Sequence, residues 1–422
     1  MNIKIKDKTF EEVMALSRPK HKKPKRPNIF WRTLVRFLSQ LDKDVISFQY
    51  SFPEKKSLSK EPCLILMNHS SFLDLKLASK ILYPMPYQIV CTADAMMGLE
   101  WLMRRIGCIP TTKFVSDMTL LKDMKHALHK TKTSVLMYPE AGYSFDGCSV
   151  KLPENLGSLC KHLKVPVVMI TTQGAFLQNP LFSALKKRKV KVTADVKMIL
   201  SATDVVEKTA SEIDEIIKEA FSFDSFAWQR ENQIKIEEPF RAEGLERILY
   251  KCSHCEAEGQ MESEGAVLRC KACGQSFCMD AYGVLHAKEG TTRFSHIPDW
   301  YNWERKAVKA EIDEGNYLLS SNTKIMMSVD YKAIYHIGNG RLVHDENGFH
   351  LYDDQGKLLY EHGRLTSHSV CADFYWYEKG DVIGIGTKNE TYYCLLDDSF
   401  MVTKMRHAAE ELYQTFRPRT EQ

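Results

Sequence analysis

The chain has 422 residues, of which 44% are hydrophobic and 27% charged, and its formal net charge is +4. This length exceeds what one hydrophobic core usually supports, so we expect two or three domains. The composition excludes a disordered or collagen-like protein, and the small net charge gives no argument for a nucleic-acid partner.

The sequence supports neither a signal peptide nor a membrane-spanning helix. No apolar segment typical of a signal peptide follows the start, and no run of about 18 apolar residues could form a spanning helix. The sequence therefore predicts a cytoplasmic protein. Its 12 cysteines are expected to be free thiols and metal ligands rather than disulfides.

Residues 1–45 are predicted to form a basic arm followed by an amphipathic helix. No acidic residue occurs from Val13 to Leu41, whereas eight lysines and arginines lie between Arg18 and Arg36. Apolar residues then recur at helical spacing at Phe30, Leu34, Phe37, Leu38 and Leu41. Two interpretations remain open: a helix that binds an anionic membrane surface, and a helix that packs on its own domain.

Residues 46–240 are predicted to form an α/β domain, because short apolar runs alternate with amphipathic segments. The predicted strands cover residues 63–67, 88–93, 134–138, 165–170 and 189–200. The predicted helices cover residues 71–82, 97–105, 117–130, 156–162 and 210–229.

Residues 249–281 contain two Cys-x-x-Cys pairs, separated by 14 residues. Four thiolates can close a tetrahedral shell around Zn²⁺, so we predict a structural zinc ribbon with Cys252, Cys255, Cys270 and Cys273 as ligands. A redox dithiol and an iron site are the alternatives. The ribbon is rich in glutamate and poor in basic residues, which argues against nucleic-acid binding.

Residues 297–418 are predicted to form a small mainly-β domain. Helices are expected at residues 299–312 and 399–416, with alternating strands between them that are separated by turn signals such as Gly338-Asn339-Gly340. Strands closed by a terminal helix are typical of a small barrel or sandwich, and this architecture resembles that of pleckstrin-homology domains.

The sequence NHSSFLD, at residues 68–74, directly follows the first apolar strand of the α/β domain. Its histidine is therefore expected at the edge where open α/β sheets place their active groups. An imidazole can accept a proton from a hydroxyl, and a carboxylate can orient the ring. A structural alternative is that Ser71 and Asp74 only cap a helix. A second turn with a carboxylate, at residues 138–144, follows another strand and can converge on the first.

In these motifs, residues 50–230 resemble the glycerophospholipid acyltransferase family, which includes the lysophosphatidic acid acyltransferases. The family's Asn-His-x4-Asp block is matched in full, which implies that His69 is the general base and that Asp74 orients it. Residues 107–113, 138–144 and 165–168 resemble three further blocks in the same order. The resemblance implies substrate-binding roles for Asn68, Lys113, Glu140, Gly142 and Ser144.

The resemblance implies transfer of a fatty acyl chain from a thioester, on coenzyme A or acyl carrier protein, to the hydroxyl of a lysophospholipid-like acceptor, as in a 1-acylglycerol-3-phosphate O-acyltransferase. The apolar residues of segment 96–103 could line the acyl channel. We expect such an enzyme at the inner face of the cell membrane, bound peripherally.

Two departures from the family pattern keep other functions open. Tyr143 stands where the family usually has a second phosphate-binding arginine, and Ala141 replaces a glycine. Lys113 keeps the charge of the first arginine but not its bidentate geometry. An acyltransferase with another acceptor, such as an amine or a sugar hydroxyl, and a non-catalytic lipid-binding scaffold are therefore the alternatives.

Overall fold

The computed structural model describes residues 3–58, 61–69, 73–115, 117–184 and 186–418. Ser70, Ser71 and Phe72 lie outside these ranges, and with them the predicted helix start at residue 71 and the predicted Ser71 cap. The described residues form three sheets, which we call the central, ribbon and C-terminal sheets.

The N-terminal segment contributes one short strand and two helices. These are β1 (Ile5–Asp7), α1 (Phe10–Met14) and α2 (Ile29–Ser39). The basic stretch between α1 and α2 has no regular structure and packs over the α/β domain, where Lys22 pairs with Glu100 at 2.9 Å and Gln88 donates a hydrogen bond to the Lys25 carbonyl.

The α/β domain is built on the seven-stranded central sheet. Its strands are β2 (Gln49–Ser51), β3 (Leu64–Met67), β4 (Tyr87–Thr92), β5 (Cys108–Thr111), β6 (Ser134–Met137), β7 (Val167–Gln173) and β8 (Thr193–Leu200). Their order is β2-β8-β7-β3-β6-β4-β5, and the pairs are parallel except that β8 runs antiparallel to β7.

Helices connect these strands and cover both faces of the sheet. They are α3 (Lys43–Ser47), α4 (Lys55–Leu58), α5 (Asp74–Leu82), α6 (Glu100–Ile106), α7 (Met118–Lys125), α8 (Leu156–Leu163), α9 (Ala175–Gln178), α10 (Ala202–Glu207), α11 (Ala210–Phe221) and α12 (Ser225–Glu231). The central strand β3 is buried on both sides, with Ile65 and Met67 in one hydrophobic cluster and Leu64 and Leu66 in the other. This is the three-layer arrangement that near-continuous apolar strands favour.

Two local features differ from the predictions. The helix predicted at 210–229 is broken into α11 and α12, because Asp224 is extended and its side chain accepts a hydrogen bond from the Ala227 amide, which caps α12. The strand β5 was not predicted as a strand. It contains Pro110, and it lies at the edge of the sheet, where proline is tolerated.

The cysteine-rich segment forms the four-stranded ribbon sheet, as expected for a zinc ribbon. Its strands are β9 (Met261–Glu264), β10 (Val267–Cys270), β11 (Ser276–Met279) and β12 (Leu285–Ala287), in the order β12-β11-β10-β9. Its apolar face contributes Leu268 and Phe277 to a hydrophobic core that also contains Trp300.

The C-terminal region is mainly β, as predicted. It consists of α13 (Ile297–Asp313), β13 (Leu319–Ser328), β14 (Ile334–Asp345), β15 (Gly348–Asp353), β16 (Leu358–Gly363), β17 (Cys371–Asp373), β18 (Val382–Gly386), β19 (Thr391–Leu396) and α14 (Phe400–Phe416). The strands run antiparallel in the order β16-β15-β14-β13-β19-β18-β17 and are closed by the terminal helix. The N-terminal strand β1 adds to this sheet by pairing in parallel with the first residues of β14.

One hydrophobic core joins the C-terminal half of the chain to the α/β domain. It contains Phe176 from α9, Leu268 from the ribbon, and Ile383 and Met405 from the C-terminal region. The helix α14 is buried along most of its length, from Val402 to Leu412. The C-terminal region is therefore packed directly against the domain that carries His69. Across the described part of the chain, no helix is long and apolar enough to cross a bilayer.

Candidate active site

His69 and Asp74 flank the junction between β3 and α5 and form a hydrogen-bonded pair. The Nδ1 atom of His69 lies 2.9 Å from Oδ2 of Asp74. The histidine side chain is 17% exposed and the aspartate side chain is 2% exposed, so the pair has an open and a closed end. Because Asp74 occupies Nδ1, the Nε2 atom is left to exchange a proton with a ligand.

Burial lowers the pKa of His69. The hydrogen bond and the charge of Asp74 act in the opposite direction, and the charge of Lys113 lowers the pKa further. The net effect is a neutral imidazole at neutral pH, which is the form that can accept a proton.

Two tyrosine rings from the second turn stack on the imidazole. The ring centroids of Tyr138 and Tyr143 lie 4.4 Å and 4.0 Å from that of His69, with interplanar angles of 28° and 29°. Tyr143 is the residue that stands in the place of an arginine in the family pattern. In this chain that position provides an aromatic wall for the histidine instead of a positive charge.

Glu140 links the two turns. Its carboxylate accepts hydrogen bonds from the backbone amides of His69, at 2.7 Å, and Val150, at 3.1 Å. Burial raises the pKa of Glu140 to about 7, although both amides favour the charged form. The two turns therefore converge, as the sequence suggested, and the carboxylate points to the backbone that carries the histidine.

Asn68 and Ser144 use their polar groups within the protein. The Asn68 amide accepts from the Thr172 amide at 2.7 Å and donates to the Thr172 carbonyl at 3.1 Å, which ties the end of β3 to β7. The Ser144 hydroxyl donates to the Cys148 carbonyl at 2.6 Å and so closes the second turn. Gly142 is also buried, and a Cβ atom there would lie 3.9 Å from the Phe114 ring.

A cavity of about 860 Å³ opens beside the histidine. Of the site residues predicted from the sequence, His69, Asp74 and Lys113 line it, whereas the other predicted substrate-binding residues lie behind its wall. Apolar residues from the α/β domain line one part, namely Ile89, Val90, Met103, Leu120 and Met137. Within the predicted channel segment 96–103, Met103 lines the cavity, while Met96 and Met97 are buried in the core and Trp101 is exposed.

The C-terminal region supplies the opposite wall of this cavity. Its lining residues include Leu365, His368, Asp373, Tyr375, Trp376, Tyr377 and Tyr413. Sequence analysis missed all of them, because they lie about 300 residues from His69 and belong to no motif. The predicted separate C-terminal domain thus contributes directly to the candidate site.

Lys113 faces acidic neighbours from both halves of the chain. Burial disfavours its charged form, but the neighbouring acidic groups Cys371, Asp373 and Asp94 outweigh this and raise the pKa of Lys113. Burial raises the pKa of Asp373 to about 6, and the Lys113 charge opposes this shift. The lysine is therefore charged, but its surroundings are not basic.

Four cysteines of the ribbon segment lie close together, at the tips of the two predicted pairs. The sulfur atoms of Cys252, Cys255, Cys270 and Cys273 all lie within 4.8 Å of one another. Cys252 and Cys273 are 3.8 Å apart, as are Cys255 and Cys270. A tetrahedral ion with metal–sulfur bonds of about 2.3 Å requires sulfur separations of about 3.8 Å, so the donor set fits zinc.

Comparison with known proteins assigns the domain that carries this site. The family model described as Acyltransferase matches residues 48–173, which include both turns and Lys113. Among solved structures, the chain is similar to the 1-acyl-sn-glycerophosphate (LPA) acyltransferase PlsC from Thermotoga maritima, with 14% identity and a TM-score of 0.34, over 46% of this chain and 86% of that one. No curated protein matches the chain. The predicted family is confirmed for this part of the chain: residues 48–173, which contain His69 and Asp74, match the acyltransferase family model.

Proposed function

We propose that the protein transfers a fatty acyl chain from an acyl thioester, on coenzyme A or acyl carrier protein, to the hydroxyl of a lysophospholipid-like acceptor. The observation that carries this proposal is the His69–Asp74 pair, which lies in the wall of a cavity of about 860 Å³. A cavity of that size can enclose an acyl chain together with a headgroup.

In the proposed reaction, Nε2 of His69 removes the proton of the acceptor hydroxyl while the oxygen attacks the thioester carbonyl. Asp74, at 2.9 Å from Nδ1, holds the ring and stabilises the imidazolium that forms. The tetrahedral intermediate then releases the thiolate, which takes the proton back from the imidazolium. The products are an ester and a free thiol, and no covalent acyl-enzyme is required.

The lining of the cavity suggests where each part of the substrates binds. The apolar wall formed by Val90, Met103, Leu120 and Met137 is suited to the acyl chain. Lys113 is the proposed contact for the phosphate group of the acceptor, since a single ammonium binds phosphate as a point charge. We propose that the other predicted substrate-binding residues support substrate binding by fixing the two turns. These are Asn68, Glu140, Gly142 and Ser144.

The four-cysteine cluster is proposed to hold a structural zinc ion. All four coordination positions would be filled by thiolates, which leaves none for a substrate. Bound zinc would fix the two ends of the ribbon, and the ribbon in turn contacts the terminal helix, because Lys404 pairs with Glu258 at 2.6 Å. The metal would therefore support the C-terminal wall of the cavity.

We also propose that the protein binds peripherally to an anionic bilayer surface. Apolar residues on α2 and just after it face outward, with Phe30 62% exposed, Phe37 59% and Leu41 67%. Trp101, on α6, is 63% exposed and lies 5.7 Å from the Trp31 ring. We call the exposed residues Phe30, Phe37, Leu38, Leu41 and Trp101 the docking face. The helix α2 also packs on its own domain, where the Ser79 hydroxyl donates to the Ser39 hydroxyl at 2.9 Å, so the proposed lipid contact concerns its exposed side.

The proposal is tested by measuring free-thiol release when purified protein is mixed with palmitoyl-coenzyme A, with and without 1-palmitoyl lysophosphatidate. Mass spectrometry of the extracted lipid then identifies the product. Acceptor-dependent thiol release together with a diacylated product is expected. Absence of transfer to any lysophospholipid, with either coenzyme A or acyl carrier protein as carrier, would overturn the proposal.

A further inference from the structure

Two aspartates in the cavity wall have carboxylate oxygens without a hydrogen bond. Asp94, from the turn after β4, and Asp373, at the end of β17, are each 8% exposed. Both line the cavity together with Lys113. Among the described residues, no donor bonds to Oδ1 of either aspartate. Buried carboxylate oxygens normally have a partner, so both Oδ1 atoms can accept from a ligand, although the Tyr377 hydroxyl also interacts with the Asp94 carboxylate.

Lys113, Asp94 and Asp373 form one corner of the cavity, which we call the corner. Its charges do not suit a phosphate monoester alone. One ammonium, that of Lys113, faces two carboxylates, so the corner has an excess of negative charge. A headgroup with only a phosphate would place its negative oxygens beside Asp94 and Asp373. The arginine that would offset them in the family pattern is replaced by Tyr143, whose ring stacks on His69.

A primary ammonium group matches what the corner lacks. It has three N–H donors, enough for both free oxygens, and its positive charge offsets the excess negative charge. A quaternary ammonium has the same charge but no N–H donor. Aromatic rings complete the corner, since Trp376 and Tyr377 line the cavity and their centroids are 5.1 Å apart.

Building on the proposed acyl transfer, we propose that the acceptor is a lysophospholipid whose headgroup ends in a primary ammonium, bound between Asp94 and Asp373. The phosphodiester of the same headgroup lies at Lys113, and the hydroxyl to be acylated lies at Nε2 of His69. Acceptor choice is thus made jointly by the α/β domain, through Asp94, and the C-terminal region, through Asp373.

The test compares three acceptors that share a palmitoyl chain: lysophosphatidylethanolamine, lysophosphatidylcholine and lysophosphatidate. We expect kcat/KM for the ethanolamine lipid to exceed that for each of the other two at least tenfold. In Asp373→Asn and in Asp94→Asn this preference should fall at least fivefold. Asp354→Asn, which removes the same charge from an exposed turn, is the matched control and should keep the preference.

The outcomes separate this inference from the function on which it rests. Transfer that favours lysophosphatidate or the choline lipid, or a preference that survives in both aspartate variants, would overturn the inference and leave the acyltransferase proposal standing. Absence of transfer to all three acceptors would overturn the proposed function itself. The two variants come from different domains, so if one fails to fold, as measured by thermal unfolding, the other still decides.

Discussion

Arg406, on the terminal helix α14, donates a hydrogen bond of 3.1 Å to the backbone carbonyl of Tyr143, the residue whose ring stacks on His69. The same guanidinium lies 4.4 Å from the Phe145 ring centroid and pairs with Glu410 at 3.2 Å. The C-terminal helix therefore holds the second turn in place against His69.

Replacement of Arg406 should change the pKa of His69 as well as the stability of the fold. In Arg406→Ala, Glu410 keeps its second partner, Arg305, at 2.6 Å, so the carboxylate stays compensated. We expect kcat to fall about tenfold and the pKa of His69 to rise, because a displaced Tyr143 admits water to the ring. The acidic limb of the kcat/KM profile measures this shift.

Lys404→Ala is the matched control for Arg406. It removes another buried cation from the same helix, but one that contacts Glu258 and Glu311. It should lower stability without moving the pH profile. Equal shifts of the pH profile in both variants would mean that Arg406 affects activity only through the stability of the fold.

The Tyr143 ring, more than its hydroxyl, is expected to matter for His69. Tyr143→Phe keeps the stacked ring and should retain at least a third of the activity. Tyr143→Ala removes the ring, rehydrates the imidazole and should lower kcat about tenfold. Steady-state kinetics on both variants test this, and equal losses would contradict the proposed role of stacking.

The activity of the wild-type protein should persist in mild acid. A general base works only when it is deprotonated, and burial lowers the pKa of His69 below its ordinary value of 6.5. As pH falls, kcat/KM should therefore stay constant through pH 6.5 and decline only below it. A profile that already declines between pH 8 and pH 7 would contradict this assignment.

The strands and the His69–Asp74 pair were predictable, because each depends on residues close together in the chain. A buried strand is recognisable as an apolar run, and the histidine and its aspartate are only five positions apart in the sequence. Asp373 and Arg406 could not be predicted in this way. Their roles depend on contacts across more than 250 residues, which periodicity and local motifs do not encode.

The proposed structural zinc site is tested by measuring the zinc content of the protein and by removing the zinc. We expect one zinc per chain by elemental analysis, and a fall in Tm of about 5 °C or more when a chelator removes it, because bound metal contributes to folding free energy. Cys270→Ser should reproduce this loss without chelator. Iron in place of zinc, or full stability of the metal-free protein, would contradict a structural zinc site.

Binding to vesicles tests the docking face. Burial of one large apolar side chain contributes about 1.5–3 kcal/mol, so Phe37→Ser should weaken flotation with anionic liposomes about tenfold. Neutralising Arg32 and Arg36 together tests the electrostatic part. Val206→Ser, at a 61% exposed site on α10, is the control and should bind as the wild type does. Unchanged flotation of Phe37→Ser would count against a lipid contact at α2.

The central claim is that His69 is the base for acyl transfer, and it is tested most directly by comparing His69→Ala with the wild type in acceptor-dependent thiol release from palmitoyl-coenzyme A. Circular dichroism and thermal unfolding should be unchanged, since the side chain lies at the wall of a cavity. The predicted result is a loss of about 10²- to 10⁴-fold in kcat, the contribution typical of a general base. A folded His69→Ala protein that retains activity within threefold of the wild type would contradict the mechanism.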